Sequence, residues 1–167
     1  MDPILPGKYC IRVYPRENSA SHFGGQHVFV THEGIGDQIR VAPASEGFIE
    51  QRWEVFLVPG DQYSVYIRAI GVNGDPDETY MREGNDGNVI LGRREAIRLD
   101  SRQYSSYGHP VYNLRALNRE GDDGASRWIG VLGEQVIATS AFEHPNPPEM
   151  DSCLWEFVNT GPPSSHS

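Results

Sequence analysis

The chain has 167 residues, which fits one domain better than two, and 38% of them are hydrophobic, as in a globular rather than a disordered protein. Its 14 basic and 23 acidic side chains give a net charge of −9, and such an acidic surface disfavours nucleic-acid binding because it repels phosphate. Residues 1–7 lack the basic and apolar stretches of a signal peptide, and no run approaches the roughly 20 apolar residues that span a bilayer. The protein either stays in the cytoplasm or is a mature form, and of the two we expect a cytoplasmic protein with no membrane partner.

Short runs of alternating apolar residues, separated by Gly, Pro, Asp and Asn, predict many short strands and no long helix. The 18 glycines and 12 prolines agree with a chain that has many turns. In chain order the predicted strands are residues 9–14, 26–31, 38–42, 52–58, 63–68, 88–91, 96–99, 112–117, 128–132, 135–139 and 153–158. We expect one domain over residues 1–160 and a flexible tail, rich in Pro and Ser, over 161–167.

A repeat of about 50 residues runs through this all-β pattern. Tyr9-Cys-Ile-Arg12 returns as Tyr63-Ser-Val-Tyr-Ile-Arg68 and as Tyr112-Asn-Leu-Arg115, with starts 54 and 49 residues apart. Arg52-Trp-Glu-Val-Phe56 in the first unit also resembles Leu154-Trp-Glu-Phe157 in the third. Three units of about four strands around a pseudo-threefold axis close a barrel, so we predict a β-trefoil. Another β-barrel or sandwich stays open, and the last strand of the second unit is either 96–99 or, in a shifted register, 111–117.

Nucleophilic and titratable residues give no assembled catalytic site. Cys10 and Cys153 lie in predicted apolar strands, so we expect both in the core and close together. A disulfide between them stays open, although a cytoplasmic location favours thiols. His22, His27 and His32 do not have the spacing of metal ligands, and most acidic residues fall in turns. We therefore predict a protein that is not an enzyme and has no cofactor and no metal.

Three loops and one triplet are candidates for binding. Gly24-Gly25 gives a backbone without side chains that either enters a narrow cleft or simply turns into the next strand. The loop 42–48 either connects two strands or presents Phe48 as an apolar prong. Asn73-Gly74 is a common turn pair and also suits an asparagine-specific peptidase. Gln51-Arg52-Trp53 matches the Q-x-W triplet of ricin-type lectins, which is mainly a core element and leaves sugar binding open.

An ordered set of short sequences in the first 70 or so positions resembles one protein family. The set consists of Gly7-Lys8-Tyr9-x-Ile11, Gly24-Gly25, Val41-Ala42-Pro43, Phe48-Ile49-Glu50-Gln51-x-Trp53 and Asp61-Gln62-Tyr63-Ser64-Val65. It is similar to the mycocypins, the mushroom inhibitors of cysteine proteinases that include clitocypin and the macrocypins. The rest of the chain matches them more loosely. The resemblance implies a monomeric fungal β-trefoil that inhibits papain-like cysteine proteinases, in defence or in control of endogenous peptidases.

The resemblance also implies which loops contact the proteinase. The loops after the first and the third strand would wedge into the active-site cleft, and their residues here are Phe23, Gly24, Gly25 and Gln26 with Ala44, Ser45, Glu46, Gly47 and Phe48. A separate loop, Val72-Asn73-Gly74, would present its asparagine to asparaginyl endopeptidase (legumain). Residues 16–22 depart from the family pattern.

Two other functions stay open at this point. One is a carbohydrate-binding, ricin-type trefoil lectin, which only the Q-x-W triplet supports. The other is a trefoil inhibitor of serine proteinases, in which a basic residue would enter the specificity pocket of a trypsin-like enzyme. The candidates for that residue are Arg16, Arg82 and Arg93-Arg94.

Overall fold

The computed structural model describes residues 4–14, 26–44, 49–84, 87–116, 127–140 and 154–164. These residues form twelve strands of one antiparallel sheet. The strands are β1 (Gly7–Val13), β2 (Val28–Thr31), β3 (Arg40–Pro43), β4 (Trp53–Val58), β5 (Asp61–Ala69), β6 (Tyr80–Glu83), β7 (Val89–Gly92), β8 (Ile97–Tyr104), β9 (Pro110–Ala116), β10 (Arg127–Leu132), β11 (Gln135–Ser140) and β12 (Leu154–Gly161). Short 3₁₀ helices, Ile49–Gln51 and Pro76–Glu78, precede β4 and β6.

Six of the strands close a barrel. β1 pairs with β4, β4 with β5, β5 with β8, β8 with β9, β9 with β12, and β12 returns to β1. Successive side chains of a strand point to opposite faces, and in β1 Tyr9, Ile11 and Val13 point into the barrel. Closure gives each of the six strands a neighbour on both sides. The prediction of an all-β protein is therefore confirmed, at the level of a closed antiparallel barrel.

Three hairpins, β2–β3, β6–β7 and β10–β11, are attached to barrel strands β1, β5 and β9. They also meet one another, because β3 pairs with β11 and isolated bridges join Gln38 to Ile90 and Asn88 to Ile137. At this junction the Gln38 side-chain amide donates to three carbonyl oxygens, those of Ile39 (3.1 Å), Val89 (3.3 Å) and Val136 (2.6 Å). One polar side chain thus ties the three hairpins together.

Three arginines occupy the same position in three successive strand pairs. The residues that face one another are Arg12 and Phe29, Arg68 and Tyr80, and Arg115 and Trp128. On the other neighbouring strand, Arg12 is opposite Glu156 and Arg68 is opposite Glu54. Arg115 is instead opposite Arg98, and it forms its ion pair with Asp100, two residues further along β8. The same pairing pattern therefore occurs three times along the chain, with the acid displaced in one copy.

The arginine ends of the three predicted repeats correspond in the structure, but their tyrosine starts do not. The pairs that match are Tyr9 with Trp53, Val65 with Ile97 and Tyr112 with Trp155. Val65, and not Tyr63 two residues earlier, is thus the counterpart of Tyr9. Of the two segments considered for the last strand of the second unit, 96–99 falls largely in β8, whereas 111–116 belongs to β9. Arg115 of β9 is the counterpart of Arg12 in β1.

The predicted strands missed β6, Tyr80–Glu83. In this strand Met81 and Glu83 point inward and are both buried, so a carboxylate stands where an apolar residue would have revealed the alternation. Arg127 lies 3.4 Å from Glu83 and offsets its charge.

Near the C-terminal end of the described residues, β12 continues to Gly161, and the Ser164 backbone NH and hydroxyl donate to Glu54 at 2.7 and 2.8 Å. Flexibility of the tail over 161–167 stays a prediction.

No helix among the described residues is both long and apolar enough to cross a membrane.

Candidate functional site

Five of the predicted contact residues lie in the described part of the chain. They are Gln26, Ala44, Val72, Asn73 and Gly74. Val72 is half-buried against the core, and the other four are exposed. The remaining residues of the two wedge loops, Phe23, Gly24, Gly25, Ser45, Glu46, Gly47 and Phe48, lie outside the described residues.

The two predicted wedge loops start from neighbouring points on the sheet. β2 and β3 pair from Thr31 opposite Arg40 to Val28 opposite Pro43. Gln26 precedes this ladder by two residues, and Ala44 follows it directly. The two loops therefore leave the same end of one hairpin, beside each other.

The Q-x-W triplet anchors the far end of the second wedge loop. The Gln51 amide donates to the Pro43 carbonyl at 2.9 Å and to the Thr31 hydroxyl at 3.2 Å. The Trp53 indole NH donates to the Val30 carbonyl at 3.1 Å. Gln51 and Trp53 are both fully buried. The triplet therefore offers no exposed ring on which a sugar could stack.

The loop that carries Asn73, residues 70–79, is closed at its base and braced within. Backbone hydrogen bonds run from Ala69 NH to the Thr79 carbonyl (2.8 Å) and from Ile70 NH to the Arg52 carbonyl (3.1 Å). The Asp75 carboxylate caps the 3₁₀ helix by accepting from Asp77 NH at 2.9 Å, a usual role for Asp at this position. Asn73 is therefore presented on a preformed loop.

This loop packs against two others. Gly71 packs against Ile49, the residue that follows the second wedge loop, and Gly74 packs against Ile35, in the turn between β2 and β3. Both isoleucines remain exposed, Ile49 by 43% and Ile35 by 36%. The Asn73 loop therefore lies beside Ile49 on the surface, although residues 49 and 73 are distant in sequence.

The contact between Gly71 and Ile49 can be tested against a glycine that touches nothing. Gly71 (φ +81°) and Gly60 (φ +83°) both have left-handed backbones, but an added Cβ would clash with Ile49 only at Gly71. We expect Gly60→Ala to cost about 1 kcal/mol of unfolding free energy and Gly71→Ala about 1–3 kcal/mol more. Ile49→Ala should recover most of the extra loss in a double-mutant cycle measured by urea denaturation. Equal losses in the two alanine variants would show that the contact is absent.

The cysteine prediction is wrong for Cys10. This residue lies on the outer face of β1 and is half-buried rather than in the core. Burial raises the pKa of its thiol, and nearby Arg52 and Arg12 oppose that rise. Cys153 lies outside the described residues, so its distance from Cys10 stays a prediction.

The two described histidines of the 22–32 group lie in different environments, and His22 is outside the described residues. His32 is buried edge-on to Trp53, with ring centroids 4.9 Å apart, and this burial lowers its pKa. His27 is half-buried against Tyr107. Among the described residues, no group of three or more His, Cys, Asp or Glu side chains is placed to bind a metal ion.

The basic residues considered for a serine proteinase differ in availability. Arg82 forms an ion pair with the buried Glu95 at 3.2 Å. Arg93 and Arg94 are exposed between β7 and β8, and the Arg94 guanidinium stacks 4.6 Å above the Tyr66 ring. Arg16 lies outside the described residues.

One exposed residue near the wedge loops was not predicted from the sequence. Tyr107, in the turn between β8 and β9, contacts His27, which follows Gln26. Ser105, Gly108 and Pro110 are typical of a turn. Nothing in the local sequence indicates, however, that this turn lies beside a loop some 80 residues earlier.

No protein-family model matches this chain, and no curated protein matches it.

Proposed function

We propose that the chain is a β-trefoil inhibitor of papain-like cysteine proteinases, as its resemblance to the mycocypins suggests. The threefold recurrence of strand pairings around the barrel supports the trefoil. In this fold, six strands form the barrel and three hairpins close one end. The matching positions of Arg12, Arg68 and Arg115 are what an internal repeat would produce.

The observation that carries the proposal is the common origin of the two wedge loops. Gln26 and Ala44 are exposed at the same end of the β2–β3 ladder, so two loops leave a rigid sheet side by side. A pair of loops on a rigid support loses little conformational entropy on binding, which favours affinity. Gly24-Gly25 would allow close backbone approach to the cleft, and Phe48 would be its apolar anchor.

Inhibition would be steric. The loop pair would occupy both sides of the catalytic cleft, so that the proteinase thiolate meets no peptide bond in a productive position. Asn73, exposed on its braced loop, would enter the specificity pocket of asparaginyl endopeptidase as a substrate residue does. The preformed loop again limits the ordering cost.

We test the proposal by titrating papain, asparaginyl endopeptidase and trypsin with the wild type, Gly25→Trp and Asn73→Ala. Gly25→Trp should weaken papain inhibition about 100-fold or more, since a bulky ring would block close approach, and should leave the endopeptidase inhibited. Asn73→Ala should abolish inhibition of asparaginyl endopeptidase and should leave papain inhibited. Each variant is thus the control for the other.

The outcomes separate the parts of the proposal. A wild type that inhibits none of the three enzymes would contradict a proteinase-inhibitor function. Parallel loss of both activities in either variant would contradict two distinct contact loops, even if the fold is intact by circular dichroism.

Inhibition of a trypsin-like serine proteinase is the second candidate. It is favoured by the exposure of Arg93 and Arg94 between β7 and β8. If the wild type inhibits trypsin but not papain, and Arg93→Ala or Arg94→Ala abolishes the trypsin inhibition, this second function would replace the first proposal.

A further inference from the structure

The turn between β8 and β9 holds one large aromatic side chain in solvent. Tyr107 is 62% exposed. Its turn is bonded internally, because the Ser105 hydroxyl accepts from Tyr107 NH and His109 NH, both at 3.3 Å. Backbone bonds from Ser105 NH to the His109 carbonyl (2.8 Å) and from Gly108 NH to the Ser105 carbonyl (2.9 Å) complete it. The turn that carries Tyr107 is therefore formed before any partner arrives.

The Tyr107 ring also contacts two side chains of neighbouring strands or loops. It lies edge-on to His27 with 6.3 Å between ring centroids, and 5.5 Å from the Arg12 guanidinium. Arg12 is itself bound to the buried Glu156 at 2.7 Å. Tyr107 thus rests on a cation that the barrel holds in position.

We infer that Tyr107 is a third contact with the papain-like proteinase, beside the two wedge loops. The inference rests on the proposed function and adds to it a residue that the resemblance does not supply. His27, which Tyr107 touches, adjoins Gln26 at the base of the first wedge loop, and Ala44 follows at the end of the same ladder. A proteinase seated on the wedge would bury about 800 Å² of this chain, enough to reach a side chain in contact with the loop base. Exposed, preordered tyrosines are among the residues that most often dominate binding energy.

The test measures inhibition constants for papain with the wild type, Tyr107→Ala, Tyr107→Phe and Leu5→Ala. Leu5 is 73% exposed and lies just before the start of β1, whereas Arg12, under Tyr107, lies near the end of that strand. Leu5 is therefore an exposed apolar control that is remote from Tyr107. Tyr107→Ala should raise the inhibition constant about 10- to 100-fold, mainly through faster dissociation. Tyr107→Phe and Leu5→Ala should stay within about threefold of the wild type, since the first keeps the ring and the second is remote.

The possible results separate the role of Tyr107 from the proposed inhibition of papain by the two wedge loops. If the wild type inhibits papain and Tyr107→Ala does so within twofold, the inference is overturned and the wedge remains. The inference is also overturned if Tyr107→Ala and Leu5→Ala weaken papain inhibition equally. It is likewise overturned if a lowered urea midpoint of Tyr107→Ala accounts for the weaker inhibition, because Tyr107 would then have a structural role. If the wild type does not bind papain, both the proposed function and the inference are wrong.

Discussion

Replacement of Trp53 or Trp155 by alanine is expected to lower the free energy of unfolding by about 3–5 kcal/mol. Both side chains are fully buried at matching positions of β4 and β12, and each indole NH donates to the neighbouring hairpin, Trp53 to Val30 and Trp155 to Ile129 at 2.9 Å. Truncation removes the buried ring, leaves a cavity and deprives a buried carbonyl of its donor. Urea denaturation followed by circular dichroism measures the loss.

The third tryptophan provides the control. Trp128, on hairpin strand β10, is half-buried and lies under the Arg115 guanidinium at 5.4 Å. Trp128→Ala should cost about 1–2 kcal/mol, the loss of partial burial and a cation–π contact. A cost for Trp53→Ala no larger than this would contradict a core role for the Q-x-W triplet and would reopen the sugar-binding alternative.

The barrel could be predicted because its signals are local and repeated. Alternation identified eleven of the twelve strands. Arg12, Arg68 and Arg115, which end the three predicted repeats, occupy matching positions in the strand pairings. β6 was missed since Glu83 breaks the alternation from the inside. The error at Cys10 was avoidable: Tyr9, Ile11 and Val13 share one face of β1, which places Cys10 on the other with Lys8 and Arg12.

The surface around the candidate site was only partly predictable, because its contacts join distant parts of the chain. The pairing of Val28 with Pro43 brings the two loop bases together, and it joins two consecutive strands that the sequence does predict. The contacts of Gly71 with Ile49 and of Tyr107 with His27 depend on how hairpins pack on the barrel. No periodicity encodes that packing, and local turn residues such as Gly108 show only that a turn exists.

The second large effect concerns the buried acids that face the repeated arginines. Glu156 is 1% exposed and its carboxylate accepts from the Arg12 guanidinium, which is 13% exposed. We expect Glu156→Gln to lower the free energy of unfolding by about 3 kcal/mol at neutral pH, because it leaves a nearly buried cation without its counter-charge. Glu33→Gln is the matched control, since Glu33 and Arg40 form an exposed pair at 2.6 Å, and such pairs contribute about 0–1 kcal/mol. Equal costs for the two variants would contradict a special role for the buried pair.

The pH dependence of this difference gives a second, independent test. Burial raises the pKa of Glu156, but hydrogen bonds from Arg12 and Ser105 outweigh it, and the pKa lies below its ordinary value. A carboxyl group with a lowered pKa in the folded state contributes stability above its unfolded pKa of about 4.3, and that contribution is lost as the pH falls through the folded value. The stability gap between the wild type and Glu156→Gln should therefore be constant at neutral pH and should narrow in acid, below about pH 4. If the difference in unfolding free energy between the wild type and Glu156→Gln does not change with pH, the substitution acts through altered packing. The loss of the negative charge beside Arg12 would then not be its cause.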